Sequence, residues 1–274
     1  MIVDTKAKVP FQDVVGLIPM AGQGKRISPL PCSKELFPVG FCPIDEGWGS
    51  RPKVAAEYLL EKMKLAGITE VFVVLRKGKS DIPEYFGNCP TLETHLAPLM
   101  MGMPYGPPYS MDEDYPFVRD RIVALGFADI LFQPHDAFVQ LLGCQKASQA
   151  DIVLGLSPAY DLAQMDMVEV DARGQVHSLV LKPRRTHLEH SWICAVWTGI
   201  FSQFMHEFLK SRLLNGLNRE IDQGIDAGGD LPIGVVIQAA TQKGLHVGVI
   251  FPRGTYVDIG TPEGLARALR FHLQ

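Results

Sequence analysis

Two valine-rich runs, Val14–Met20 and Glu70–Leu75, stand on either side of one amphipathic helical stretch, and that order leaves few folds open. A strand, helix, strand succession within one sheet closes by a right-handed crossover, which makes the two strands parallel. The helix is written in PKVAAEYLLEKMKLAG, where Val54, Leu59, Leu60, Met63 and Leu65 make one broad apolar face and Gly67 ends it. EVFVVL is short, apolar and rich in valine, as a strand covered on both faces must be.

The alternation continues along the chain. Residues His95–Met101 are expected as a strand, Phe117–Leu125 as a helix, ADILF (128–132) as the central strand, Asp136–Gln149 as a helix and DIVLGL (151–156) as a strand. MVEVDARGQVHSLVLKP then reads as a hairpin turning at Asp171–Gly174. WICAVW supplies a further strand and SQFMHEFLKSRLL a helix. In the tail, LPIGVVIQAATQKG is helical, LHVGVIF and TYVDIG are strands, and TPEGLARALRFHL is a helix begun by Thr261 and Pro262. The expected class is α/β with a mostly parallel mixed sheet, and no linker divides the 274 residues into separate domains.

Composition narrows the partners. With 26 Lys and Arg against 30 Asp and Glu, the net charge is −4, so nothing in the overall charge favours nucleic acid. The strongest basic cluster, KPRRTHLEH (182–190), is too small for a duplex-binding face. The 5 cysteines are scattered without a CxxC pair, which argues against a disulfide scaffold or a zinc knuckle. No apolar signal region opens the chain and no apolar run reaches about 18 residues, so no membrane partner and a cytoplasmic location are expected.

Chemistry concentrates after the first strand, in GLIPMAGQGKRISPLPCSKELFPVG (16–40). Ala21-Gly22-Gln23-Gly24 can bring backbone N–H groups close to phosphate oxygens, because glycine tolerates dihedrals that other residues avoid. Lys25, Arg26 and Lys34 offset the charge of a polyphosphate. The run is no P-loop, lacking GxxxxGK followed by Ser or Thr, and no dinucleotide fingerprint, lacking the third glycine.

The segment GQGKRISPLPCSKELFP resembles the opening motif GxGTRxxPxTxxxPKxxxP of the sugar-phosphate nucleotidyltransferases, the nucleoside-diphospho-sugar pyrophosphorylases. Gly22, Gly24, Arg26, Pro29, Lys34 and Pro38 fit it; Lys25 replaces the threonine, and the path from Arg26 to Lys34 is shorter by two residues. TYVDIGTPEGLARA (255–268) resembles the family's WxDxGTPxxLxxA segment and LVLKPRR (179–185) its EKP segment, with Leu181 at the acidic position.

The resemblance implies a three-layer Rossmann-like nucleotide-diphospho-sugar transferase fold in a single domain, 1–274, with an acceptor-binding elaboration over approximately 157–235. It implies nucleotidyl transfer from a nucleoside triphosphate to a sugar-1-phosphate, best matched by glucose-1-phosphate thymidylyltransferases. Other phosphorylated acceptors, or a noncatalytic nucleotide sensor on the same fold, stay open as alternatives, and so does homo-oligomer formation. Its residues carry over as Met20, Ala21, Gly22, Gln23, Gly24, Lys25, Arg26 and Lys34 for the nucleotide, and Lys182 for the acceptor phosphate. Arg26, Lys34 and Lys182 are the expected catalytic cations. Trp197 is assigned to the acceptor wall, although a core role suits it as well. Mg²⁺ is the expected cofactor, held by Asp136 in FQPHDAF and by Asp258. An aspartate at either place also serves as a helix cap or turn residue.

Overall fold

The computed structural model describes residues 13–44, 49–87, 94–102, 105–160, 162, 164–223 and 231–271. β1 (Val14–Pro19) sends Val14 and Ile18 into one core and Val15 and Leu17 into another. Burial on both faces places it inside a sheet. A hairpin of β2 (Pro38–Pro43) and β3 (Ser50–Val54) leads into α1 (Ala55–Leu65) and then β4 (Glu70–Leu75), parallel to β1 with Gly16 opposite Val71. α2 (Asp81–Gly87) and β5 (His95–Met100) extend the parallel edge.

Two short helices, α3 (Pro107–Met111) and α4 (Tyr115–Val118), precede β6 (Ile122–Leu125) and β7 (Ile130–Phe132). α5 (Ala137–Ser148), β8 (Ile152–Pro158), the hairpin β9 (Asp166–Val170) with β10 (Val176–Leu181), and β11 (His190–Trp197) follow. The chain then forms α6 (Gly199–Gln223), α7 (Ile233–Gln242), β12 (Val247–Ile250), β13 (Tyr256–Asp258) and α8 (Pro262–Phe271).

Nine strands make the main sheet among the described residues, in the order β10-β9-β11-β6-β1-β4-β5, with β8 on β11 and β12 on β8. β11 runs against β6, β8 and β9, and β10 against β9, so these two oppose the direction of the rest. Helices α1, α2 and α5 cover one face through Leu59, Ile82 and Phe138; α3, α6 and α7 cover the other through Met111, Phe201 and Val236. This is the expected three-layer α/β architecture. β7 lies outside the main sheet, pairs antiparallel with β13, and shares a small core with α8 through Val257, Ile259 and Ala268.

One expected element is overturned. Residues 117–125 are not a single helix: the helix ends at Val118, and Ile122–Leu125 is a central strand between β1 and β11. Its register sets Val14 opposite Ile122, and Val123, Ala124 and Leu125 are almost fully buried. The β-branched pair Ile122-Val123 suits that slot better than a helix. ADILF accordingly contributes only three strand residues, away from the main sheet.

Parallel pairing brings the carboxyl ends of β1, β4 and β6 to one edge, the usual ligand edge of an open α/β sheet. The turn Lys34–Leu36 is fixed there by a buried ion pair, Lys79 Nζ to Glu35 Oε2 at 2.6 Å, with exposures of 5% and 2%. Burial lowers the pKa of Lys79 and raises that of Glu35, in both cases outweighing the partner's charge. The pair therefore adds little over an apolar replacement of both residues, but removing one partner strands a buried charge. Lys79→Ala is expected to cost about 3–5 kcal/mol in urea unfolding, whereas the double replacement Glu35→Met with Lys79→Met costs much less.

Candidate active site

The glycine turn leaves β1 at Met20, which is fully buried and donates its N–H to Val74 O at 2.8 Å. Met20 is thus an anchor of the turn in the core. Beyond it Gly22 and Gln23 are exposed, Ala21 and Gly24 half-buried, and Gly24 has φ 63, a conformation that favours glycine. A Cβ on Gly22 would lie 3.4 Å from Lys34 Nζ, so the ammonium stands directly beside the turn. Lys25 and Arg26 are exposed. Gly22, Gln23, Gly24, Lys34, Arg76 and Lys79 all line a polar cavity of about 320 Å³.

Lys34 and Arg26 are each tied to a carboxylate. Lys34 Nζ pairs with Asp129 Oδ2, and Arg26 Nη2 lies 3.4 Å from Asp258 Oδ2. The two carboxylates converge on Gly260, where a Cβ would meet Asp258 Oδ1 at 2.8 Å, Arg26 Nη2 at 3.0 Å and Asp129 Oδ2 at 3.2 Å. β13 delivers Asp258 opposite Ile130, and Ile259 N–H bonds Asp129 O at 2.9 Å, locking the segments together. Thr261 Oγ1 accepts Gly264 N–H at 3.0 Å, the expected start of α8.

Their electrostatics differ. Burial raises the Asp129 carboxyl, but the Lys34 charge and hydrogen bond, helped by Arg26, bring it below the usual carboxylate value. Burial, and then the charge of Asp129, push Asp258 up against the opposing Gly260 N–H, Arg26 and Lys34. Burial pulls Lys34 down, yet Asp129 and Glu35 hold its ammonium above the ordinary lysine value. One carboxylate is neutralised by its cation, while its neighbour still seeks positive charge.

That donor set fits a hard divalent cation. Mg²⁺ is commonly bound by one or two carboxylates and takes its other ligands from phosphates and water. Among the described residues no group of three or more His, Cys, Asp and Glu side chains is arranged for a metal, so Asp129 and Asp258 would act as a pair.

The structure does not bring Asp136 to Asp258. The β7–β13 ladder runs from Ile130 opposite Asp258 to Phe132 opposite Tyr256, and Gln133 N–H bonds Thr255 O at 3.0 Å. Asp136 therefore leaves at the far end of the ladder, exposed at the start of α5, accepting from Gln140 Nε2 at 3.0 Å. Trp197 does not reach a cavity wall either: it is 2% exposed, packed on Phe201 at 5.4 Å, with Nε1–H donated to Ser202 Oγ.

Trp192 does line a cleft, one of about 450 Å³ that it shares with Tyr160, Asp166, Ser191, Tyr256, Asp258 and Arg267. Lys182 is exposed at the end of β10 with φ 40, and its charge and backbone N–H act on the Asp166 carboxyl in that cleft. Leu181, apolar where the family resemblance implies an acid, is the cross-strand partner of Asp166. Asp129 and Arg76 escaped the sequence reading. The signal for Asp129 was present, since IVAL ends four residues before it.

No family model matches the chain. A curated relative, the low-salt glycan biosynthesis nucleotidyltransferase Agl11 of Haloferax volcanii, is 23% identical over 262 residues, 94% of this chain. The chain spans 66% of that relative's length. Among solved structures, UDP-glucose pyrophosphorylase complexed with UDP-glucose superposes with a TM-score of 0.76 at 15% identity, covering 96% of this chain and 99% of the other. UDP-glucose pyrophosphorylase from Acinetobacter baumanii gives a TM-score of 0.74 at 16% identity, covering 95% and 93%. The chain has the fold of the sugar-phosphate nucleotidyltransferases and resembles that family in sequence.

A methyl group on Gly260 would intrude between the two carboxylates. Gly260→Ala is expected to weaken Mn²⁺ binding, followed by electron paramagnetic resonance, by tenfold or more, about 1.4 kcal/mol, with little change in the circular dichroism spectrum. Because the folded-state pKa of Asp258 is raised, its neutral form is favoured at low pH and its charge costs stability as pH rises through that pKa. Cation binding should accordingly strengthen, and cation-dependent thermal stabilisation grow, as pH rises through the Asp258 titration. In Asp258→Asn that part of the pH dependence should disappear.

Proposed function

We propose that this protein transfers a nucleotidyl group from a nucleoside triphosphate to a sugar-1-phosphate, in the manner of a glucose-1-phosphate thymidylyltransferase. The observation that carries this reading is the convergence of Asp129, Asp258 and Arg26 on Gly260, beside a glycine turn that presents Lys34. A phosphate oxygen of the acceptor attacks the α-phosphorus. The bond from that phosphorus to the bridging oxygen breaks, and pyrophosphate leaves with the electron pair.

The acceptor phosphate is already anionic, so no protein nucleophile is needed. Three of the described cysteines agree with this: burial pushes the Cys194 thiol up to about 12 and also raises Cys32 and Cys42. Gly22 and Gly24 let the turn's backbone approach the triphosphate, while Lys34, with Arg76 along the same cavity, supplies positive charge for the leaving pyrophosphate. Arg26, on the cleft side, stabilises charge at the transferring phosphorus. Asp129 and Asp258 would hold Mg²⁺, which when bound would neutralise phosphate charge. Lys182, on the acceptor side, orients the acceptor phosphate.

Pyrophosphate release in a matrix of nucleoside triphosphates and sugar-1-phosphates tests the reaction. Asp129→Ala and Asp258→Ala should each lower kcat by about a thousandfold, and Asp136→Ala should stay close to wild type. Lys182→Ala should act mainly on the KM of the acceptor. Tight nucleotide binding without pyrophosphate release for any acceptor would instead make the protein a nucleotide sensor.

A further inference from the structure

Asp166 is a buried carboxylate that the donor site leaves unexplained. It begins β9, is 9% exposed, and lines the cleft that also contains Asp258. Its Oδ1 is buried and has no hydrogen-bond donor among the described residues. The nearby hydroxyl of Ser191 is spent on the Asp166 backbone carbonyl, at 2.9 Å, and Leu181 across the ladder offers no donor. Arg267 lies over the Tyr160 ring at 5.3 Å.

The space for this carboxylate is built into the helix beside it. A Cβ on Gly234, in the first turn of α7, would lie 2.3 Å from Asp166 Oδ2. Glycine is a poor helix former, but only glycine leaves room here. The amino end of a ten-residue helix also favours negative charge beside it. Burial raises the Asp166 carboxyl, with the Lys182 charge and backbone N–H acting against that shift. A buried acceptor atom without a donor is costly, so a ligand that supplies the donor gains what an analogue lacking it forfeits.

We propose that Asp166 is the acceptor-selecting residue, its carboxylate accepting a hydrogen bond from a ring hydroxyl of a sugar-1-phosphate whose phosphate lies toward Asp258. This rests on the nucleotidyl-transfer reading above. A ring hydroxyl is the donor that every sugar-1-phosphate carries. Tyr160 is engaged by Arg267 and by Tyr256 at 4.9 Å, and Trp192 packs on Phe127 at 5.7 Å, so these rings do not form an open cage for a cation. Gln164 adds a polar amide to the lining, of the kind that ring hydroxyls use.

The test measures pyrophosphate release with glucose 1-phosphate, galactose 1-phosphate and the monodeoxy derivatives of glucose 1-phosphate, in wild type, Asp166→Asn and Asp166→Ala. Wild type should lose about a hundredfold in kcat/KM for one deoxy position. In Asp166→Ala that position-specific loss should shrink to within about threefold, with the KM of the nucleoside triphosphate unchanged. Asp166→Asn keeps the shape should the alanine variant fail to fold, and it too should raise the acceptor KM at an unchanged melting temperature. Unaltered hydroxyl discrimination in a folded variant, or an equal rise in both substrates' KM, would overturn the assignment of Asp166 while leaving the reaction intact. Absence of turnover in wild type for every pairing would overturn the reaction and this inference with it.

Discussion

Two carboxylates, Asp129 and Asp258, are held beside one another at the edge of a largely apolar structure, and the rest of the site is organised around their mutual repulsion. Burial alone favours the neutral form of each. Lys34 settles the question for Asp129, and Arg26 with the Gly260 N–H does so only in part for Asp258. The remaining deficit of positive charge is one that a divalent cation could meet. Gly260 follows from the same constraint, because any side chain there would occupy the space between the charged groups.

Holding these groups in place requires elements that are far apart along the chain. Asp129 follows β6, Asp258 ends β13, and Lys34 stands in a short turn after the glycine loop. The parallel ladders β4–β1–β6 align the strand ends, and the β7–β13 pair ties the two acidic segments through backbone hydrogen bonds. The buried Glu35–Lys79 pair then fixes the turn carrying Lys34 against the end of β4. Charge placement is thus inherited from strand register, which a packed sheet core does not readily let slip.

Much of this was legible from local pattern. The first βαβ unit, the hairpin turning at Asp171–Gly174, the helices over 137–148 and 233–242, and the glycine turn all follow from periodicity and turn chemistry. The failure at 117–125 had a larger consequence. Reading that stretch as a helix moved the central strand to ADILF, so Asp136 was expected beside Asp258, where the structure sets Asp129. Four residues, IVAL, are too few for periodicity to separate a strand from a helical segment. The two tryptophans show the same limit. Trp192 and Trp197 lie in one apolar strand, and only their tertiary neighbours put one on the cleft and the other in the core.

The sequence by itself determined the α/β alternation, the glycine turn with its cations, and the carboxyl-terminal TYVDIGTPEG segment that carries Asp258, because each depends on residues close together in the chain. The tertiary structure alone decided which aspartate stands beside Asp258 and that Asp166 lines the same cleft as Asp258, packed against Gly234. Those outcomes depend on strand register and helix docking, and such contacts join residues separated by tens to more than a hundred positions, beyond the reach of any local pattern.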